Sequence, residues 1–406
     1  RKLTKMPPET DNDRLARRLE AEIEGDVMFD AFSKGGYATD ASVYQIDPVG
    51  VTVPRSHDDV ARVMAIAAET GVAVLPRGGG TSQCGQTVGH AVVMDVSRHL
   101  NSVIVVDPEN RTAWVEPGVV LDELNAILKR HGLWFPVDVS TASRATIGGM
   151  TGNNSCGARS LHYGTMRDNV LAIDAILPDG TEMHFGELPP DLEEADFSAD
   201  QRRFVDRLLE IGRREAVEID ARFPKMMRRV GGYNIDALVP SNLPVNLAHL
   251  LVGSEGTLAY SKRIKIKLSA LPKHKVLGIC HFPTFHAAMD AAQHLVTLDP
   301  TAVELVDKTM IELAREIAMF RPTIDRAVFG DPEALLLVEF AGDERQALLA
   351  QLARLVERMA ELGFAGGVVE ATDPDFQKAV WEVRKSGLNI MMSMKGDGKP
   401  VSFIED

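Results

Sequence analysis

The sequence predicts an α+β protein of two or three domains, and three observations carry that reading. The chain has 406 residues, enough to bury more than one core. Hydrophobic residues make up 45% and charged ones 25%, the balance of an ordinary globular protein. Strand-like runs alternate with amphipathic stretches, and glycine-rich segments border the strands.

Residues 12–24 read as a charged amphipathic helix closed by Gly25. Val51-Thr52-Val53-Pro54 is a short strand. Ser56 caps the next helix, with Asp58 and Asp59 near its positive end. Val60, Val63, Met64 and Ala67 give it a buried face, and Gly71 stops it. A buried strand is expected at 72–75, making a β-α-β unit. Asp107-Pro108-Glu109-Asn110 turns a hairpin between 103–106 and 112–115. A helix follows at 121–131, ending at Gly132. The strand 170–177 turns at Asp179-Gly180 into 181–185. Residues 187–229, opened by Pro189-Pro190, are a charged helical insertion expected to be a solvated excursion. The strand 264–268 ends this region, and Leu271-Pro272-Lys273 marks a boundary. Beyond it, strands at 276–282, 334–340 and 367–371 and helices at 285–298 and 344–362 make a separate α+β sandwich.

Net charge is -14, which argues against a general nucleic-acid or anionic-membrane binder but leaves room for a local basic pocket. Cys84, Cys156 and Cys280 are widely spaced and odd in number, so no disulfide framework is implied and a reducing compartment fits. They match no zinc or iron-sulfur spacing. No run of 18 apolar residues and no secretory segment is present, so the expectation is a cytoplasmic chain without a transmembrane segment. The chain opens on Arg1 and closes after the strand-like Val401-Ser402-Phe403-Ile404, and is expected to be a piece of something longer.

The chemistry sits in three segments. They are Pro76-Arg77-Gly78-Gly79-Gly80-Thr81-Ser82, Thr146-Ile147-Gly148-Gly149-Met150-Thr151-Gly152-Asn153-Asn154 and Gly253-Ser254-Glu255-Gly256-Thr257-Leu258. Each has small residues where backbone must approach a ligand, and hydroxyls or amides for phosphate and ring atoms. One such cluster more often marks a plain turn. Three in this order read as one cradle for a flavin dinucleotide. The first lacks the Rossmann fingerprint, since Gln83 stands three residues after Gly80, and a P-loop's Gly-Lys-Ser/Thr is missing.

These segments resemble the FAD-linked oxidase family, the vanillyl-alcohol-oxidase/PCMH-type flavoproteins. The similarity is strongest to the branch of D-2-hydroxyglutarate and D-lactate dehydrogenases and glycolate oxidases. Tyr37-Ala38-Thr39-Asp40-Ala41-Ser42, Val115-Glu116-Pro117-Gly118, Glu304-Leu305-Val306-Asp307 and Trp381-Glu382-Val383-Arg384 extend it over nearly the whole chain. Ser155-Cys156-Gly157-Ala158 and the charged insertion resemble the large bacterial members with a C-terminal iron-sulfur half. The resemblance implies a PCMH-type FAD-binding domain of two α+β subdomains over 43–272. It implies an N-terminal extension over 1–42, and a ferredoxin-like cap over 273–406 that is cut short.

The resemblance also implies roles. Arg77, Gly78, Gly79, Gly80, Thr81 and Ser82 would wrap the FAD pyrophosphate in a nest of N–H groups. Arg77 has a competing role as a brace of its own loop. Ser143, Thr146, Gly148, Gly149, Asn153, Asn154 and Gly157 would serve the diphosphate and flavin edge. Tyr163 would close over the ligand or be core. Glu255, with Gly256, would reach ribose hydroxyls or hold a strained turn. Thr81 or Ser82 stands where relatives carry a flavin-linked histidine, so the FAD is expected to be non-covalent. Arg384 would hold a substrate carboxylate in a planar fork, with a surface pair to Glu382 or Asp375 as the alternative. Lys399 would add a second positive charge.

The implied activity is oxidation of a D-2-hydroxy acid, D-2-hydroxyglutarate before D-lactate, with hydride passing to flavin N5. The catalytic base, any divalent metal and an iron-sulfur cluster are expected beyond residue 406. No metal site is assigned within the chain. Electrons would leave to an iron-sulfur or quinone-linked acceptor, with attachment at the inner membrane as the alternative location. Two competing readings are an oxygen-using flavin oxidase of another alcohol and a non-catalytic flavin-binding module.

Overall fold

The computed structural model describes residues 10–239, 244–392 and 394. Lys399 therefore lies outside the described residues. The architecture is α+β, as the sequence predicts, and is built on three main sheets.

The first sheet contains β1 (Asp26–Met28), β2 (Gly50–Val53), β3 (Val74–Arg77) and β4 (Val92–Asp95). Their order is β1-β2-β4-β3, with β2, β4 and β3 parallel. The expected β-α-β unit is present, but β4 inserts between its two strands. Sequence reading missed β4, and it set the preceding strand two residues early. That strand, β3, is half-buried rather than buried because it carries the loop to the cleft described below. The helix His57–Thr70 starts as predicted: the Ser56 hydroxyl accepts from Asp59 N–H at 3.2 Å. Gly71, at φ 71°, ends it in a left-handed turn that a side chain would strain. Val60, Val63 and Ile66 pack against Leu15, Leu19, Val92 and Met94.

The second sheet is antiparallel. It holds β5 (Val103–Asp107), β6 (Thr112–Val115), β8 (Val170–Ile176), β9 (Glu182–Phe185) and β10 (Tyr260–Lys267), in the order β5-β6-β10-β8-β9. A short ribbon pairs β7 (Leu133–Trp134) with β11 (Ser269–Ala270). Both predicted hairpins form. The charged insertion does more than extend into solvent. Helix Ala199–Arg214 buries Val205 and packs Gly212 against the Leu238 carbonyl, and helix Ala216–Arg222 buries Ile219. Its hydrophobic stripe is narrow, so the charges dominate the sequence while the stripe still docks.

The third sheet contains β12 (His274–Phe282), β13 (Ala302–Asp307), β14 (Ala334–Gly342) and β15 (Val368–Ala371). Its antiparallel order β13-β14-β12-β15 is ferredoxin-like. One face packs helices Phe285–Leu295 and Arg345–Glu361 through Val276, Cys280, Leu336 and Val338. The other packs Lys308–Glu316, Arg321–Ala327 and Pro374–Lys385 through Leu277, Ile279, Leu335 and Leu337. This parity follows from side chains alternating along each strand.

Candidate FAD cleft

A cleft of about 1040 Å³ separates the first two sheets from the third, and all three glycine segments reach it. They interlock. Gly78 faces the Thr146 hydroxyl and Gly79 the Arg144 carbonyl, each so closely that a Cβ would overlap it. Gly253 N–H donates to Thr151 O and Glu255 N–H to Gly152 O, both at 2.9 Å. Asn153 Nδ2 donates to Glu255 Oε1 at 3.1 Å. Gly256 closes the ring against Pro76, where a Cβ would lie 3.6 Å from the proline Cδ.

The first segment offers unpaired donors. Gly79, Gly80, Thr81 and Ser82 make no backbone N–H bond to any described residue. Gly80 sits at φ 63°, so the run curls back on itself. Four neighbouring N–H groups without a partner among the described residues are what an anion nest needs. Arg77 takes the bracing role. Its guanidinium donates to the carbonyls of Tyr37 and Thr87 at 3.2 Å and Thr39 at 2.9 Å, and lies over the Tyr37 ring.

The second segment holds a helix, Ile147–Asn153, that sequence reading did not assign. Thr146 caps it, accepting from Gly149 N–H at 3.3 Å, while Ile147, Met150 and Thr151 form its buried face. The glycines hid that 3.6-residue period. Its first amides serve the chain rather than a ligand: Ile147 N–H donates to Val119 O and Gly148 N–H to Pro117 O, both at 2.8 Å. Asn154 is likewise engaged. It is 1% exposed, and its Oδ1 accepts from Thr165 Oγ1 at 3.1 Å and Arg167 N–H at 3.0 Å. Gly157 is small because Asp138 backs onto it. Ser143 is exposed and lies outside the cleft, and so does Tyr163, which packs edge-on against Trp134.

Gly149 and Gly152 test whether a dinucleotide fits. Both lie in a helix, where glycine costs about 1 kcal/mol relative to alanine. Both line the cleft. A Cβ at Gly152 would find nothing nearer than Glu255 Cα at 3.8 Å. At Gly149 it would meet only the Thr146 hydroxyl, at 3.2 Å. Packing within the chain therefore does not explain the missing side chain at Gly152, and at Gly149 the capping Thr146 hydroxyl alone would have to give way, whereas a ligand lying on this face explains both. The cleft volume is at the upper end of the range for small-molecule sites, as a dinucleotide requires.

Sequence reading missed a buried ion-pair network in the cleft. Arg159 holds Glu339 through Nε and Nη2, both at 2.8 Å, and Asp138 through Nη1 at 2.7 Å. It also lies over the Trp381 ring at 5.0 Å. Burial raises the Glu339 carboxyl, but the Arg159 guanidinium and the Lys275 ammonium outweigh it and hold the group below the usual carboxylate range. The signal was present: Glu339 is a lone charge in the apolar run 334–340.

Arg384 lines the cleft, and its partner is neither Glu382 nor Asp375. Its Nε donates to Glu304 Oε1 at 2.7 Å, and its Nη2 pairs with the same oxygen. Nη1 makes no bond to a described residue. Gln377, Trp381 and Arg384 recur at i, i+4 and i+7, which places all three on one helix face.

Residues 48–186 match the family model described as FAD binding domain, and residues 271–406 that of FAD linked oxidases, C-terminal domain. The chain is 32% identical to D-2-hydroxyglutarate dehydrogenase of Pantoea ananatis (strain AJ13355), over 94% of this chain and 39% of that protein. It is 33% identical to the Pseudomonas putida protein of the same name, over 95% and 39%. Glycolate oxidase subunit GlcD of Bacillus subtilis (strain 168) is 27% identical, over 95% of this chain and 70% of that one. The chain thus spans about two fifths of the length of the first two relatives. The solved structure of an alkyldihydroxyacetonephosphate synthase shares the fold, with a TM-score of 0.66 at 20% identity, covering 95% of this chain and 64% of that one. With its two family domains in that order, this chain is an FAD-binding member of the FAD-linked oxidase family.

Proposed function

We propose that the protein is an FAD-dependent dehydrogenase that oxidises a D-2-hydroxy acid to the 2-oxo acid, D-2-hydroxyglutarate before D-lactate. The observation that carries this reading is the open helix flank at Gly152, which lines one cleft with the amides of 79–82 that have no partner among the described residues. The names of the relatives support the substrate class. Bound FAD supplies the hydride acceptor. The amides of 79–82 bind its pyrophosphate, and Glu255 serves its ribose hydroxyls. Arg384 presents Nη1 to the substrate carboxylate while Glu304 fixes the other edge of the guanidinium.

The proposed division is an extension over 1–42, an FAD-binding domain over 43–272 with its insertion at 187–229, and a cap over 273–406. An iron-sulfur or quinone-linked acceptor and a cytoplasmic site of action belong to the same proposal. Among the described residues no helix is long and apolar enough to cross a membrane. Anaerobic mixing of the full-length protein with D- and L-2-hydroxy acids tests the reading. Bleaching of flavin absorbance by D-acids alone is expected. A flavin that no hydroxy acid bleaches would sink it, and steady-state peroxide release would favour an oxidase.

A further inference from the structure

One end of the third sheet breaks its own pattern. Glu339 pairs across the ladders with Leu277 and Ala302. Lys275 and Glu304 lie two residues from those partners, hence on the same face. Deeper along that face, Leu277, Ile279, Leu335 and Leu337 make an apolar core. At the cleft, three charged residues occupy positions where the alternation calls for apolar ones. Buried or half-buried charge in such positions is the informative exception.

Both carboxylates are matched, Glu339 by the Arg159 fork and Glu304 by Arg384. Lys275 is not matched to the same degree. Its nearest carboxylate oxygen is Glu339 Oε1 at 4.0 Å, and that atom already accepts from Arg159 Nε. No hydrogen bond joins its ammonium to a described residue. Its side chain is 33% exposed, lines the cleft, and holds its Nζ 5.8 Å from the Trp134 ring centroid. Its backbone is held in place, because Gln377 Nε2 donates to the Lys275 carbonyl at 3.0 Å. Lys273 and Lys378 also line the cleft, but they are exposed and water can satisfy them. Burial pushes the Lys275 ammonium below its usual range, the direction expected of a cation whose counter-charge is incomplete.

We propose that Lys275 is a specificity-determining residue whose ammonium receives the second, distal carboxylate of a 2-hydroxy diacid. This rests on the hydroxy-acid reading above, with Arg384 holding the first carboxylate. A monocarboxylate such as D-lactate leaves the Lys275 donors unanswered, so the site selects diacids by completing a half-buried pair.

The test compares full-length wild type, Lys275→Met and Lys275→Arg after their flavin content is matched. Lys275→Gln replaces the methionine variant if that one empties of flavin. The readout is the ratio of kcat/KM for D-2-hydroxyglutarate over D-lactate. Loss of one charge-assisted bond lowers that ratio at least about tenfold in Lys275→Met, and arginine restores part of it. An unchanged ratio overturns the proposal. If neither acid bleaches the wild-type flavin, the hydroxy-acid reading is what has failed. Lys275 is then judged by titrating 2-oxoglutarate and pyruvate against the flavin absorbance. An equal effect of Lys275→Met on both ligands would overturn its role as well.

Discussion

Gly152→Ala separates a ligand's demand for space from the chain's own. The helix Ile147–Asn153 contains Gly152 at an ordinary helical φ, and an added methyl would touch nothing closer than 3.8 Å. Alanine is favoured over glycine in a helix by about 1 kcal/mol, so the apoprotein should gain up to that amount. In a domain of this size that is a rise in Tm of roughly 2–4 °C. The same methyl faces the cleft where the dinucleotide is expected to lie. Overpacking against a bound ring or phosphate costs about 1–3 kcal/mol, so the FAD Kd should rise by about 5- to 150-fold. The two effects have opposite signs. Differential scanning of the apoprotein reads the first, and fluorescence quenching on titrating FAD reads the second. A stabilised variant with wild-type FAD affinity would show that the cofactor does not lie on this helix.

Gly79→Val should abolish flavin retention, because its side chain would overlap the Arg144 carbonyl and displace the first segment; full flavin retention would remove that segment from the pyrophosphate site. Arg384→Ala should lower kcat/KM for the hydroxy acid at least about tenfold while flavin stays bound, and Arg384→Lys should recover only part, since a point-like ammonium cannot hold Glu304 on one edge and a carboxylate on the other as the planar guanidinium does. Unchanged kinetics in both variants would make Arg384 a partner of Glu304 and nothing more. The Glu339 carboxyl is depressed in the folded state, so its contribution is full above the unfolded value of about 4.3 and is lost as pH falls through the folded value. Glu339→Gln should cost about 1.5–3 kcal/mol at neutral pH, because Arg159 loses one of its two carboxylate partners and keeps only Asp138, and should flatten the acid limb of stability. Denaturant midpoints measured between pH 3 and 7 check both statements.

Local chemistry made much of the fold legible. Ser56 and Gly71 bracket a helix because one accepts an orphan amide and the other tolerates a left-handed turn. Asp179-Gly180 turns β8 into β9 for a related reason, with Gly180 at φ 85°. The strand β4 stayed hidden because its neighbours in the sheet, β2 and β3, come from earlier in the chain and no turn announces it. The helix at 147–153 stayed hidden because glycines at 148, 149 and 152 lower helix propensity below notice. Tertiary contacts supply what propensity lacks: Gly148 packs on Pro117, and the Thr146 cap fixes the first turn.

The candidate site divides in the same way. The first segment could be recognised because a nest is made by consecutive residues. Arg159, Asp138, Glu339 and Lys275 could not be gathered by any local rule, since Arg159 and Glu339 are 180 positions apart and belong to different sheets' layers. Two of them nevertheless left a trace. Glu339 interrupts an apolar strand, and Lys275 stands second in one. A charge in a run that otherwise obeys the burial alternation is stable only with a partner or a ligand. Glu339 finds its partner in Arg159 across the cleft, which ties the third sheet to the loops that carry the glycine segments. Among the described residues, the Lys275 ammonium on the same face reaches one carboxylate, Glu339 at 4.0 Å, and the Trp134 ring. The same physical rule thus assigns one residue to holding the two walls together and leaves the other for what enters between them.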